Sequence, residues 1–315
     1  MNLPIARERL ARCALVPLLL CAGPRLTAEA QSAAVDTAAT KASLLAADAS
    51  LARLVERGGE GRFLAAADSD AAILFWGHPR VLVGPAEARG PLLARYGGRA
   101  SYRWRPVHAI ASADGRFGCT IGFSRFVSAS DSARTVRRGA YATCWRRDAR
   151  GRWRVVGHQR RDSPVPELVP EGAETLRIAP HSATVSTGDD QLEQMLTAEA
   201  SFVTRSIEAD GPGAGFAGFV ADDGVLLGVS GLPTGPEEAR QTFQAFTGKR
   251  AIIWVPLRFV GVAQGGLGFT VGYSMGFPRA GQPGSPANHG KFFTIWRQEP
   301  DGSWKYVVDI GSPRP

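Results

Sequence analysis

Two side chains in this sequence are suited to proton transfer, His108 and Asp309, and each lies in a run with the alternation of a β-strand. Side chains four apart on a regular strand point the same way, so Trp104 is expected to share a face with His108. The same spacing joins Trp254 to Arg258 farther along the chain. Apolar walls around one titratable group are what acid–base catalysis needs, because burial shifts the pKa of that group.

A further pair of positions corresponds across the chain. His158 and Asp309 follow Trp153 and Trp304 by the same spacing at the start of the last strand-like run of each half. The predicted ligand-pocket residues are therefore Trp104, His108, His158, Trp254, Arg258 and Asp309. The structural alternative stays open: a bonded core histidine, an ion pair between Arg258 and Asp309, and tryptophans that build a core.

Catalysis is not indicated by any established motif. No GxGxxG sequence lies at a predicted strand-to-helix turn, and Walker A, HExxH and GxSxG sequences are absent, so we expect neither a cofactor nor a metal site. The long strands of the first half carry no carboxylate that would complete a dyad with His108. This favours binding of a ligand over catalysis, and His108 or Asp309 remain the candidates if the chain is an enzyme.

Cys119 and Cys144 form an even pair without CxxC spacing. A hairpin centred on Asp131 and Ser132 would place them opposite each other on adjacent strands. The equivalent positions later in the chain, Phe269 and Ile295, suit an apolar cross-strand pair. The cysteines are thus expected either to form a cross-strand disulfide or to remain as two buried thiols.

The elements around these residues occur twice. Trp-Arg-Pro at 104–106 returns as Trp-Val-Pro at 254–256, and Gly-Arg-Trp at 151–153 returns as Gly-Ser-Trp at 302–304. An offset this long indicates a duplicated domain. We place the first copy at 41–162 and the second at 189–315, with a disordered lead-in at 31–40 and a proline-rich linker at 163–188.

Residues 1–30 have the features of a signal peptide: arginines, then an apolar run, then the small residues Ala28 and Ala30 around a cleavage site. We expect export to the periplasm or secretion, with lipidation at Cys21 as the less favoured alternative. No later segment is apolar and long enough to span a membrane.

The formal net charge of +8 is unevenly spread. The first copy holds 22 Lys and Arg against 10 Asp and Glu, whereas the second holds 10 against 13. A basic first copy would attract anions or an anionic cell envelope. Nucleic acid is not expected as a partner, because no basic stripe is interleaved with aromatic residues.

The hydrophobic pattern of each copy predicts two or three helices followed by four long strands. Both also share short phrases: GP-E-AR at 84–89 and 235–240, W-x-P at 104–106 and 254–256, and G-x-x-G-x-T-x-G at 115–122 and 265–272. In this order the phrases resemble the nuclear transport factor 2-like (NTF2-like) superfamily, in its SnoaL-like and DUF4440 branch. The resemblance implies an α+β fold of two tandem cone-shaped, cystatin-like domains, in which a curved antiparallel or mixed sheet wraps helices and leaves a pocket.

The resemblance does not imply one activity, because NTF2-like folds host isomerases, dehydratases, cyclases and binding modules. We expect an intramolecular pseudo-dimer that binds a small apolar molecule or a partner without catalysis. The alternatives are a lyase or isomerase that uses His108 or Asp309, and anion or envelope binding by the first copy.

Overall fold

The computed structural model describes residues 36–98, 100–127, 136–161, 190–208, 210–261, 265–281 and 286–315. The predicted signal peptide, the linker and the hairpin centre at Asp131 and Ser132 lie outside these residues. No helix in the described ranges is long and apolar enough to cross a membrane.

Both copies run from helices into long strands. The first contains α1 (Thr37–Gly58), α2 (Glu60–Ala66), β1 (Ala67–Phe75), β2 (Leu82–Val83), α3 (Gly84–Tyr96), β3 (Ser101–Ala111), β4 (Phe117–Val127), β5 (Val136–Arg147) and β6 (Trp153–Arg161). The second contains α4 (Gln191–Ile207), α5 (Gly211–Phe219), β7 (Val220–Leu226), α6 (Gly235–Gln244), β8 (Arg250–Gly261), β9 (Leu267–Pro278), β10 (Asn288–Gln298) and β11 (Trp304–Pro313).

The first helix begins earlier than predicted. The Asp36 side chain accepts hydrogen bonds from the backbone N–H groups of Ala38 and Ala39, at 2.9 and 3.0 Å. This is the usual N-cap geometry, so the helix starts at Thr37. The last four residues of the lead-in predicted at 31–40 are therefore helical, because Asp36 caps α1.

The two sheets have corresponding strand orders, β2-β1-β6-β5-β4-β3 and β7-β11-β10-β9-β8. β1 runs parallel to β6 and β7 runs parallel to β11, while the other neighbours are antiparallel. Each sheet wraps its helices as a cone. The predicted α+β class with two tandem cone-shaped domains is confirmed.

A β-bulge interrupts the first long strand of each copy. In β3, Pro106 pairs with Gly122 but His108 pairs with Ile121, so Val107 is an extra residue. A one-residue insertion moves the following side chains to the other face of the sheet. The prediction that Trp104 and His108 share a face is therefore wrong.

The second copy has the same bulge at the same place. In β8, Pro256 pairs with Gly272 and Arg258 pairs with Val271, which separates Arg258 from the face that carries Trp254. Proline lacks the N–H that a regular ladder needs, so it suits a bulge. The facing glycine is required, because a Cβ on Gly272 would lie 2.0 Å from the carbonyl oxygen of Val255.

The outer faces of the two sheets pack against each other and bury one apolar core from both copies. Phe117 of the first copy stacks on Phe269 of the second, with ring centroids 6.4 Å apart. Cys119 lies opposite Cys144 in the register of β4 and β5, and their sulfur atoms are bonded within this core. Each copy has a further core between its sheet and its own helices.

Candidate functional site

The second copy holds a cavity of about 450 Å³ on the inner face of its sheet. Its apolar lining includes Val229, Phe246, Ile252 and Pro313. Its polar lining includes Arg161, Arg250, Ser274, Asn288, His289 and Asp309. Apolar walls with a few polar groups are typical of small-molecule sites.

The cavity exists because the second copy has small residues where the first has large ones. Gly311 on β11 faces Phe292, and its counterpart Arg160 on β6 faces Tyr141. A Cβ added at Gly311 would meet no heavy atom within 4 Å, so this position borders open space. In the same way, Gly276 of the second copy corresponds to the buried Phe126 of the first.

Arg160 fills the cone of the first copy. Its Nη1 and Nη2 donate to the two carboxylate oxygens of Glu60 at 2.8 and 2.9 Å, and neither residue is exposed. Four aromatic rings surround the guanidinium, with centroids 4.3 to 5.5 Å from its Cζ: Phe63, Tyr96, Tyr102 and Trp104. A recess of about 270 Å³ lies outside this group, next to Glu60 and Tyr102.

His158 belongs to the same filled interior. Its Nε2 accepts a hydrogen bond from Arg160 Nε at 2.9 Å, and its other ring nitrogen, Nδ1, therefore donates to Thr143 Oγ1 at 2.7 Å. Burial, together with the neighbouring Arg160, lowers the pKa of His158 well below its usual value. This imidazole is neutral and fully bonded, so its position supports a structural role.

Asp309 occupies the corresponding position in the second copy, where the cone is open. Thr294 Oγ1 donates to Asp309 Oδ1 at 2.7 Å, just as Thr143 contacts His158. Burial raises the pKa of Asp309 to about 7, against the opposing effect of the Thr294 hydrogen bond. A carboxyl that titrates near neutrality and lines a cavity can donate or accept a proton there.

His108 and Arg258 lie between the two copies rather than in the cavity. Arg258 Nη2 lies 3.4 Å from Asp70 Oδ2 of the first copy, so the predicted ion pair with Asp309 is wrong. Burial, followed by the positive charge of Lys41, lowers the pKa of His108 to about 4. The bulges place both side chains on the outer face of their sheets.

Trp104 and Trp254 hold a buried carboxylate that the sequence interpretation missed in each copy. Trp104 Nε1 donates to Asp48 Oδ1 at 2.7 Å, and Tyr141 Oη donates to Asp48 Oδ2 at 2.8 Å. In the second copy, Trp254 donates to Glu199. Burial raises the pKa of both carboxyl groups.

These two acids lie on the first helix of each copy, not on the long strands. Asp48 interrupts an apolar helical stripe, and Glu199 recurs at the offset of the repeat, which is the signal that would have identified them. Their partners belong to the cores, and neither carboxylate lines the cavity. They organise the interior of each cone.

Two other features complete the description. A surface hollow of about 500 Å³ lies between α4 and Phe259 on β8, with an apolar lining that includes Leu192 and Leu196. The described part of the chain contains no group of three or more His, Cys, Asp or Glu that could hold a metal ion. The second-copy cavity, with a titratable group in its wall, is therefore the candidate site.

The chain is similar to solved structures that each align with roughly one copy. A ketosteroid isomerase-like protein from Erwinia carotovora atroseptica SCRI1043 is 16% identical over 40% of this chain and 98% of its own, with a TM-score of 0.35. An NTF2-like protein with a cystatin-like fold from Novosphingobium aromaticivorans is 15% identical over 39% of this chain and 82% of its own, with a TM-score of 0.33.

An NTF2-like protein of unknown function from Pseudomonas putida KT2440 is 12% identical over 42% of this chain and 98% of its own, with a TM-score of 0.36. No family model and no curated protein matches the chain. At this level of likeness, no ligand or activity follows from the comparisons.

Proposed function

We propose that this chain is a small-molecule-binding protein whose site is the cavity of the second copy. The observation that carries the proposal is the asymmetry between equivalent positions: Arg160 fills the first cone, whereas Gly311 leaves the second open. The first copy then serves as a closed partner that covers the outer face of the second sheet. The volume of about 450 Å³ suits a small organic molecule.

A variant that fills the cavity tests this proposal. Gly311→Leu places an apolar side chain in open space, so we expect the fold to persist and binding to be lost. Native mass spectrometry of protein purified from its own host would detect the bound molecule in the parent chain and its loss in the variant. Gly218→Leu, at an exposed helical position where a Cβ meets nothing within 4 Å, is the matched control. Equal ligand occupancy in Gly311→Leu and the parent would overturn the proposal.

The second candidate function is proton transfer by Asp309, as in a lyase or isomerase. It is favoured by the position of this carboxyl in the cavity wall and by burial, which raises its pKa to about 7. His108 is not part of this candidate, because it lies on the other face of its sheet. Once a ligand is identified, turnover by the parent protein but not by Asp309→Asn would support catalysis, and binding without turnover would exclude it.

We further infer that both copies belong to the NTF2-like superfamily, in its SnoaL-like and DUF4440 branch, and that residues 1–30 direct export. The repeated phrases and the order of helices and strands support the family assignment. The arginines, apolar run and small residues of the first 30 positions support export. Mass spectrometry of the mature N-terminus from the native host tests the second inference.

A further inference from the structure

The cavity of the second copy receives a side chain from the first. Arg161 is the last residue of β6, yet it lines the cavity and donates from Nη1 to the carbonyl oxygen of Gly311. Its Cζ lies 5.1 Å from the ring centroid of Trp76, also in the first copy. The site is therefore built by both copies.

The cavity wall carries more positive than negative groups. Two guanidinium groups line it, Arg161 and Arg250, and Asp309 is the one carboxyl among the described lining residues. Arg250 donates to the carbonyl oxygen of Gly276 at 3.1 Å and to Asn288 Oδ1 at 3.0 Å. The Nε of Arg161 is buried without a hydrogen-bond partner among the described residues, which is costly unless a ligand or water supplies an acceptor.

We propose that the ligand is a small organic anion with an apolar body, and that Arg161 binds its carboxylate. This inference rests on the proposed binding function and specifies its ligand class. The planar guanidinium matches the two oxygens of a carboxylate, and charge-assisted hydrogen bonds are the strongest of their kind. Val229, Phe246 and Ile252 provide the apolar wall for the remainder of the molecule.

Below neutral pH the carboxyl of Asp309 is largely protonated, so it does not repel an anionic ligand. Burial raises its pKa to about 7, with a further increase from the negative charge of Glu199 and a decrease from Arg161 and Thr294. Its protonated carboxyl can donate a hydrogen bond to the same ligand. Arg250 and His289 are the other titratable or charged groups that line the cavity.

Matched pairs of probes test the ligand class. Isothermal titration at pH 6 would compare phenylacetate, 3-phenylpropanoate and octanoate with the corresponding primary amides. We expect the carboxylates to bind at least about tenfold more tightly, since hydrogen bonds to charged groups are stronger than those to neutral groups. Arg161→Met should remove this preference for carboxylates over amides, whereas Arg57→Met, on an exposed helical turn, should retain it.

The outcomes separate this inference from the function on which it rests. Amides that bind as tightly as carboxylates, with binding lost in Gly311→Leu, would retain the cavity as the site and overturn the anion assignment. Carboxylate binding that persists in Arg161→Met also overturns the role of Arg161. If Arg161→Met lowers the free energy of unfolding, Arg161→Lys keeps the charge without the planar fork and should show an intermediate affinity. Carboxylate binding that survives Gly311→Leu would contradict the proposed function itself.

Discussion

At the scale of single residues, equivalent positions of the two copies have taken different roles. Arg160 and Gly311 occupy the same place in the repeat, and so do His158 and Asp309. In the first copy, the arginine forms a buried ion pair with Glu60 and bonds the histidine. In the second, the glycine leaves Asp309 beside a cavity. A few differences at equivalent positions, Gly311 for Arg160 and Gly276 for Phe126 among them, thus distinguish a filled core from a candidate site.

Asp309 should make the stability of the protein depend on pH. Burial raises its pKa to about 7, above its ordinary value near 4 in the unfolded chain, so the folded state holds the proton between these values. The stability due to this group is therefore fully present below about pH 4 and is lost as pH rises toward 7. Asp309→Asn should reduce the fall in the free energy of unfolding between pH 5 and pH 8, measured by urea denaturation.

Asp222→Asn, at an exposed position on β7, is the control for this experiment. Burial also raises the pKa values of Asp48 and Glu199, so these groups likewise make stability fall as pH rises. The comparison of Asp309→Asn with the parent therefore measures only the contribution of Asp309 to the pH dependence. A pH dependence unchanged by Asp309→Asn would show that this carboxyl titrates normally in the folded protein.

Arg160 and Glu60 should be energetically coupled, so that their substitutions do not change the free energy of unfolding additively. Arg160→Met leaves a buried carboxylate without its partner, and loss of one member of such a pair costs about 3–5 kcal/mol. Glu60→Leu leaves the guanidinium unpaired, with a loss of the same order. The double variant should be more stable than the sum of the single losses implies, as measured by chemical denaturation. Strictly additive losses would mean that the two side chains are not coupled.

At the scale of elements, the bulges in β3 and β8 decide which side chains enter each cone. Because of the extra residue at Val107, Trp104 faces the helices and His108 faces the other copy. On uninterrupted β4, by contrast, alternation places Cys119 and Ile121 together on the outer face. Pairing of β4 with β5 then places Cys119 opposite Cys144.

The disulfide should stabilise the first copy. It closes a loop with a sequence separation of 25, for which chain entropy predicts about 3 kcal/mol. The double variant Cys119→Ala/Cys144→Ala should lower the free energy of unfolding by roughly this amount. Thiol labelling of unreduced, denatured protein, mapped by mass spectrometry, should leave both cysteine-containing peptides unmodified. Labelling of both peptides would mean that the cysteines are free thiols.

At the scale of the whole molecule, the two sheets share one apolar core among the described residues. Apolar side chains from both outer faces meet there, and a few polar contacts also join the copies. Lys291 of the second copy is fully buried and donates from Nζ to the carbonyl oxygens of Phe75, at 2.9 Å, and His78. Arg258 of the second copy also forms an ion pair with Asp70 of the first. The two copies therefore depend on each other for burial of these surfaces.

Packing between the copies should not tolerate a methyl group at Gly157. A Cβ there would lie 2.6 Å from Phe269 Cζ and 2.9 Å from Phe293 Cε2, both in the second copy. Overpacking of this kind costs about 1–3 kcal/mol, so Gly157→Ala should lower the melting temperature. Gly61→Ala, in a helix where a Cβ meets nothing within 4 Å, should be neutral or stabilising by up to about 1 kcal/mol. Equal melting temperatures for both variants would contradict the observed packing.

The sequence was sufficient for features that depend on local pattern. Hydrophobic periodicity and the repeat offset predicted helices followed by a strand meander in both halves, because each signal involves residues close in sequence or a comparison of the chain with itself. The same comparison paired His158 with Asp309. A hairpin centred on Asp131 and Ser132 also predicted the pairing of Cys119 with Cys144, which β4 and β5 show because no bulge interrupts their pairing.

The tertiary structure alone decided which of these residues border a cavity. A bulge changes the face of every later side chain on its strand, and alternation does not reveal where the extra residue lies. Glu60 is 100 positions from Arg160, and Arg161 is 150 from Gly311, so no local pattern connects them. Arg160 and Gly311 are visible in the sequence as a difference between the copies. Their consequence, one cone filled and the other open, arises because folding brings both positions to the inner face of a curved sheet.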